Sequence, residues 1–167
     1  IQEVLDMKTC LNAMEDAYRD LSKNEAAYRP RIDFYVPREP HYYRWGTMEG
    51  ASRSLGYMAI RMKSDMLVWE KNGEFETEDK YCIEPGTYCG LIFLLSVRNG
   101  EPLALMNDGY LQHMRVGACA GLGVKYLSRK NSKVLGMLGS GGMARTYTQA
   151  IHEGRDIELL RVFSPTK

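Results

Sequence analysis

This chain has almost no net charge, few cysteines, no cluster of metal-ligating side chains and no long apolar run. Its 167 residues carry 22 basic and 21 acidic side chains, for a formal net charge of +1. No overall field draws in nucleic acid or an anionic membrane, so any anion site has to be local. Four cysteines, Cys10, Cys82, Cys89 and Cys119, stand without a CxxC pair, and three histidines add no ligand set at zinc spacing. No metal is expected. A chain of this size does not need disulfide staples, so the thiols read as reduced and the compartment as cytoplasmic, with a meeting of Cys82 and Cys89 left open. The most apolar run, Gly90 to Val97, is far short of the ~20 residues that span a bilayer. No charged leader precedes an apolar signal core at the N-terminus, which indicates neither anchoring nor export. The chain opens at Ile1, so a removed leader stays open.

What remains is the balance of a globular protein, with 44% hydrophobic and 26% charged residues. From Val4 to Leu21 the apolar positions Val4, Met7, Leu11, Met14, Ala17, Tyr18 and Leu21 recur at three- and four-residue steps, the stripe of an amphipathic helix that Ser22 to Glu25 ends. Between Tyr28 and Pro40, three prolines exclude helix while Ile32, Phe34 and Val36 alternate, which predicts an edge strand. Tyr57 to Lys63 and Met66 to Trp69 read as extended. Two apolar runs flanking Asn99-Gly100 predict a hairpin with a two-residue type I′ turn. Leu111 to Arg129 mixes apolar residues with Gly117, Gly121 and Gly123, which predicts a helix against which another backbone packs closely.

After Lys130-Asn131-Ser132 the grammar changes. Val134 to Leu138 is a short apolar strand, Met143 to His152 a helix, and Ile157 to Phe163 a second strand, together the length of a βαβ unit. Between the first strand and the helix stands Gly139-Ser140-Gly141-Gly142-Met143-Ala144, the GxGxxA form of the dinucleotide fingerprint. Gly139 allows a sharp exit from the strand, Gly141 lets the backbone approach a pyrophosphate, and Ala144 lets the helix lie close. The N–H groups at the helix start then hold phosphate. At the end of the second strand, where an NAD site places an acid, the sequence has Ser164-Pro165-Thr166-Lys167. With no carboxylate to repel a 2′-phosphate, Ser164 and Thr166 favour NADP(H), and NAD(H) remains open.

The stretch Asn107-Asp108-Gly109-Tyr110-Leu111-Gln112-His113-Met114-Arg115-Val116-Gly117-Ala118, followed by a small-residue helix and the strand with GSGGMA, resembles the ornithine cyclodeaminase and mu-crystallin family. The resemblance implies an α/β fold: a mixed-sheet substrate and dimerisation domain over 1–130, then the first βαβ of a Rossmann domain over 131–167. It implies a homodimer and a hydride passed between a nicotinamide and the nitrogen-bearing carbon of a small amino or imino acid. Carried over residue by residue, Arg115 and Arg31 hold the substrate carboxylate together with either Arg61 or Lys63, a choice the alignment leaves open. A carboxylate held by an arginine fork is fixed in orientation as well as in charge. The family's catalytic aspartate falls beyond residue 167, so this chain by itself is expected not to oxidise NADPH in the presence of an imine. Three functions stay open: an imine reductase or amino acid dehydrogenase, a cyclodeaminase that recycles bound NAD and releases ammonia, and a catalytically silent NADPH and ligand binder.

The remaining candidates read as structural. His113 is expected to pack or cap, and His41 and His152 carry no partner signal. Asp65, Glu70, Glu74, Glu76, Glu78 and Asp79 read as a solvated hairpin or loop. Tyr28, Tyr35, Tyr42 and Tyr43 read mostly as sheet or dimer packing.

Overall fold

The structure, a computed structural model, describes residues 1–72 and 75–164. In chain order it runs α1 (Met7–Ser22), β1 (Ala26–Arg38), β2 (His41–Ser52), β3 (Tyr57–Asn72), β4 (Phe75–Tyr81), β5 (Cys89–Ser96), β6 (Pro102–Asn107), α2 (Gly109–Leu127), β7 (Val134–Leu138), α3 (Ala144–Gly154) and β8 (Leu159–Phe163). The chain gathers into two compact units, residues 20–109 and residues 1–19 with those from 110 onward.

The unit of residues 20–109 is a sheet of order β1-β2-β3-β5-β6, with β4 also on β3. Every pairing in it is antiparallel, where a mixed sheet was expected. β1 lies at the edge, as its prolines require, and its register shifts between Arg29 and Ile32, where Pro30 has no N–H to donate. β2 carries no apolar alternation that announces a strand, because Arg44, Gly46, Glu49 and Gly50 interrupt it. The two extended stretches read at 57–63 and 66–69 form the single strand β3, whose Leu67 is fully buried. The expected β5–β6 hairpin is present, with a longer turn than a two-residue one. The Ser96 N–H donates to Glu101 O at 2.9 Å, enclosing residues 97–100, and of Asn99 and Gly100 only Gly100 has a positive φ, 76°. The Asn99 side chain instead accepts the Glu101 N–H at 3.2 Å. In the acidic series, Asp65 is 2% exposed rather than solvated, and Glu74 lies outside the described residues.

In the other unit, Asp6 caps α1 by accepting the Thr9 N–H at 2.7 Å. Met7 and Cys10 of α1 pack with Met114 and Ala118 of α2 and Ala150 of α3 into the core. Glu15 joins α1 to α2. It accepts from Lys125 Nζ at 2.6 Å and from the Tyr126 hydroxyl at 2.5 Å, and these bonds, the lysine's first, bring its pKa down to about 2. β7 and β8 pair in parallel with α3 between them, as the sequence predicts. Arg155 closes the end of α3, donating to Ser128 Oγ at 3.0 Å and to Lys125 O at 2.6 Å. Among the described residues no helix is long and apolar enough to cross a membrane.

The glycines of α2 do what their size permits. A Cβ on Gly117 would stand 2.7 Å from Thr146 O, and one on Gly121 2.8 Å from Ala150 O, whereas one on Gly123 meets nothing within 4 Å. Gly117→Ala is therefore expected to destabilise the chain by about 1–3 kcal/mol, since the obstruction is backbone and cannot swing aside. Gly123→Ala is expected to stabilise it by up to about 1 kcal/mol through helix propensity alone. Urea unfolding of both variants checks this, and shifts of the same sign would contradict it.

Candidate functional site

β3 presents Arg61, Lys63 and Asp65 on one face, because strand side chains alternate. Across β2 these three face Met48, Gly46 and Arg44, and across β5 the first two face Ile92 and Gly90. Lys63 thus has a glycine on either side. Both glycines make room for carboxylates. A Cβ on Gly46 would lie 1.9 Å from Asp33 Oδ1, and one on Gly90 2.1 Å from Asp108 Oδ1. Asp108 is set over Gly90 by its own N–H, which donates to Gly90 O at 3.0 Å.

Each carboxylate holds a cation. Arg31 forks onto Asp33, with Nε to Oδ1 and Nη2 to Oδ2 both at 2.7 Å. Arg61 sends Nε and Nη2 to Asp108 Oδ2 at 2.5 Å, a pair whose side chains are 13% and 7% exposed. Lys63 Nζ lies 3.2 Å from Asp65 Oδ2, the same oxygen that takes Arg44 Nη2 at 2.6 Å. Arg44 also reaches Glu78 at 3.5 Å. Burial pushes the Lys63 ammonium below its ordinary pKa against the pull of Asp65. Burial raises the Asp65 carboxyl, yet the Arg44 hydrogen bond and the Lys63 charge outweigh it and leave the group below its usual 3.8.

The other unit holds the glycine-rich turn and Arg115. Gly139 leaves β7 with φ at 95°, and its N–H donates to Phe163 O at 2.7 Å, which sets Ser164 directly after the point where the turn meets β8. A Cβ on Gly141 would meet nothing within 4 Å, and Gly141 and Gly142 are exposed. Met143 precedes α3 without a side-chain cap, and the Ala144 N–H turns back to Gly141 O at 3.0 Å, which leaves the next N–H groups of the first turn without a helical carbonyl of their own. That cradle suits a pyrophosphate: small, open and backed by a helix start. His113, read as a packing residue, is exposed and has its ring carbon Cε1 3.6 Å from where a Gly142 Cβ would stand.

The structure brings Arg31, Arg61 and Lys63 onto one sheet face, and Ser140 to Ala144 into the turn. Arg115 sits half-buried on α2 and makes no ion pair among the described residues. Thr166 lies outside the described residues. Arg44, Asp33 and Asp108 escaped the reading as partners of these cations. No local signal marked Arg44, since the strand that carries it shows no apolar alternation.

Asp65 generates a prediction. Removing its charge takes from buried Lys63 its ion-pair partner and leaves buried Arg44 with only the longer contact to Glu78, so Asp65→Asn costs about 3–5 kcal/mol at neutral pH. A depressed carboxyl contributes stability above its unfolded value near 3.8 and loses it as pH falls through the lower folded value. Denaturant unfolding across this range is expected to show the gap between wild type and variant closing on acidification. A gap independent of pH would contradict the ion-pair account.

Comparison with known proteins adds to this geometry. Over 81 residues the chain is 40% identical to a Delta(1)-pyrroline-2-carboxylate reductase of Bacillus cereus, a match covering 48% of this chain and 25% of that protein. An archaeal alanine dehydrogenase dimer with bound NAD superposes with a TM-score of 0.76 at 27% identity, covering 96% of this chain and 45% of the other. The Thermococcus litoralis Delta(1)-pyrroline-2-carboxylate reductase in complex with NADH and L-proline gives a TM-score of 0.76 at 25% identity, over 99% of this chain and 48% of that one. The chain thus spans less than half the length of these relatives. It matches the ornithine cyclodeaminase/mu-crystallin family over residues 1–167, and it belongs to that family.

Proposed function

We propose that the protein containing this chain is an NAD(P)-dependent oxidoreductase acting on the C–N bond of a small amino or imino acid. The observation that carries the reading is the open Gly139–Ala144 turn between two parallel strands, an uncapped helix start shaped for a pyrophosphate. Residues 131–167 open the cofactor half in this reading, and residues 1–130 supply substrate and dimer contacts. When bound, a nicotinamide supplies or accepts the hydride. The chain's own residues bind and orient. Arg115 and Arg31 are the residues that the family resemblance assigns to the substrate carboxylate, a group that an arginine fork holds in orientation as well as in charge. Arg61 and Lys63 are held by Asp108 and Asp65, so their positions are fixed before substrate arrives. We favour NADP(H), since the sequence that follows β8, Ser164-Pro165-Thr166-Lys167, carries no acid to repel a 2′-phosphate. Relatives solved with NAD and with NADH keep NAD(H) as the alternative to be tested. A cytoplasmic setting fits four cysteines without a disulfide among them.

We also propose a homodimer. Ile32, Phe34 and Val36 of β1 and Leu105 of β6 lie on the sheet face away from Lys63 and are 46–63% exposed, an apolar surface of the kind that marks an interface. Phe34→Asp is expected to shift the sedimentation profile from dimer to monomer, and an unchanged profile would move the interface elsewhere.

The full-length protein is expected to consume NADPH with Δ1-pyrroline-2-carboxylate, and Arg115→Met to raise KM at least about tenfold, the loss of one charge-assisted contact. Gly141→Val is expected to abolish dinucleotide binding in a calorimetric titration. Ammonia release with no change in free cofactor would point to cyclodeamination, and tight binding without turnover to a binding protein. Stronger binding of NADH than of NADPH would reverse the selectivity while leaving the site in place.

A further inference from the structure

β4 and β5 run end to end along the same edge of β3. Tyr81 pairs with Met66, and Cys89 pairs with Ser64. A continuous strand would put one residue opposite Asp65; here the chain loops out over residues 82–88 and returns. The loop leaves the sheet after Tyr81 and re-enters it at Cys89, so its first residue, Cys82, and the residue on which it ends, Cys89, flank the gap opposite Asp65. The side chains of Cys82 and Cys89 lie within hydrogen-bonding reach of each other, the proximity that a disulfide requires.

The loop is clasped so that the two residues stay together. The Cys82 N–H donates to Thr87 O at 2.9 Å, and the Thr87 hydroxyl donates to Glu84 O at 2.7 Å and also contacts Cys82 O. Ile83 is 93% exposed at φ 72°, a left-handed conformation that a β-branched residue adopts only when its surroundings impose it. Both cysteines are free thiols and partly exposed. Burial first, then the neighbouring Cys82 thiol, raise the pKa of Cys89.

We propose that Cys82 and Cys89 form a reversible dithiol–disulfide site that locks β4 to β5 when the protein meets a low-molecular-weight disulfide. The Cys82 thiolate attacks one sulfur of that disulfide and expels the other as a thiol, leaving a mixed disulfide on Cys82. Cys89 gives up its proton to solvent, attacks the Cys82 sulfur and expels the second thiol. Two protein thiols are oxidised and one external disulfide is reduced to two thiols, so atoms and electrons balance. The internal bond closes a short loop that the fold already holds shut, which favours the second step over survival of the mixed disulfide.

The intact protein is treated with oxidised glutathione, then alkylated and mapped by mass spectrometry. The expected product links the peptides of Cys82 and Cys89 without glutathione, reverts with dithiothreitol and shows slower amide exchange across residues 64–66 and 82–89. Cys82→Ser is expected to leave neither the link nor the slowing. A stable glutathione adduct on either cysteine, a link between Cys10 and Cys119 instead, or both thiols unreacted would overturn the proposal. Because the readout uses no substrate or nicotinamide, its failure is separate from failure of the functional reading above.

Discussion

The contact on which the cofactor end depends is that of two helices lying backbone to backbone. Gly117 and Gly121 of α2 leave no room for a methyl group against Thr146 and Ala150 of α3. This intimacy fixes where α3 begins, and so where the turn of Gly141 and Gly142 meets it. It also puts His113 of the same helix beside the turn. Arg155 secures the far end of α3 with bonds to Ser128 and Lys125. A binding turn built on glycine is intrinsically loose. Here the looseness is confined to residues that need it, because the helix behind them is held along its length.

The sheet unit follows the same logic with charge instead of packing. Glycine at 46 and 90 lets Asp33 and Asp108 lean in from neighbouring strands, where they hold Arg31 and Arg61. Asp65 holds Lys63 and Arg44 from the strand itself. Four cations gathered on one face would repel each other and lose solvation if left bare. Interleaved carboxylates remove that penalty and keep the guanidinium groups in set orientations.

Local patterns with a mechanical cause were legible in the sequence. The α1 stripe, the β1 prolines, the β7 strand and the GSGGMA turn each follow from periodicity or from a backbone demand, and each is found close to where it was read. Partnerships across the sheet were not legible. Asp65 looked like one more acid in a solvated run because nothing local shows that Arg44, on another strand, stands opposite it. β2 was missed for the same reason: its glycines weaken the strand signal, and their purpose is visible only once Asp33 is seen above Gly46. Asn99-Gly100 suggested the tightest hairpin turn, whereas the side chain of Asn99 spends its hydrogen bond on Glu101 and a wider turn results. That Arg61 and Lys63 each have a carboxylate partner, Asp108 and Asp65, was not legible either, because only the fold brings those partners to them.

The most direct test of the account is a backbone-amide NMR titration of the protein with NADPH and, separately, NADH. The account predicts that the N–H signals of Ser140 to Ala144 shift first and saturate with one of the two nucleotides. Signals that stay unmoved across that turn while either nucleotide binds elsewhere, or does not bind at all, would contradict it.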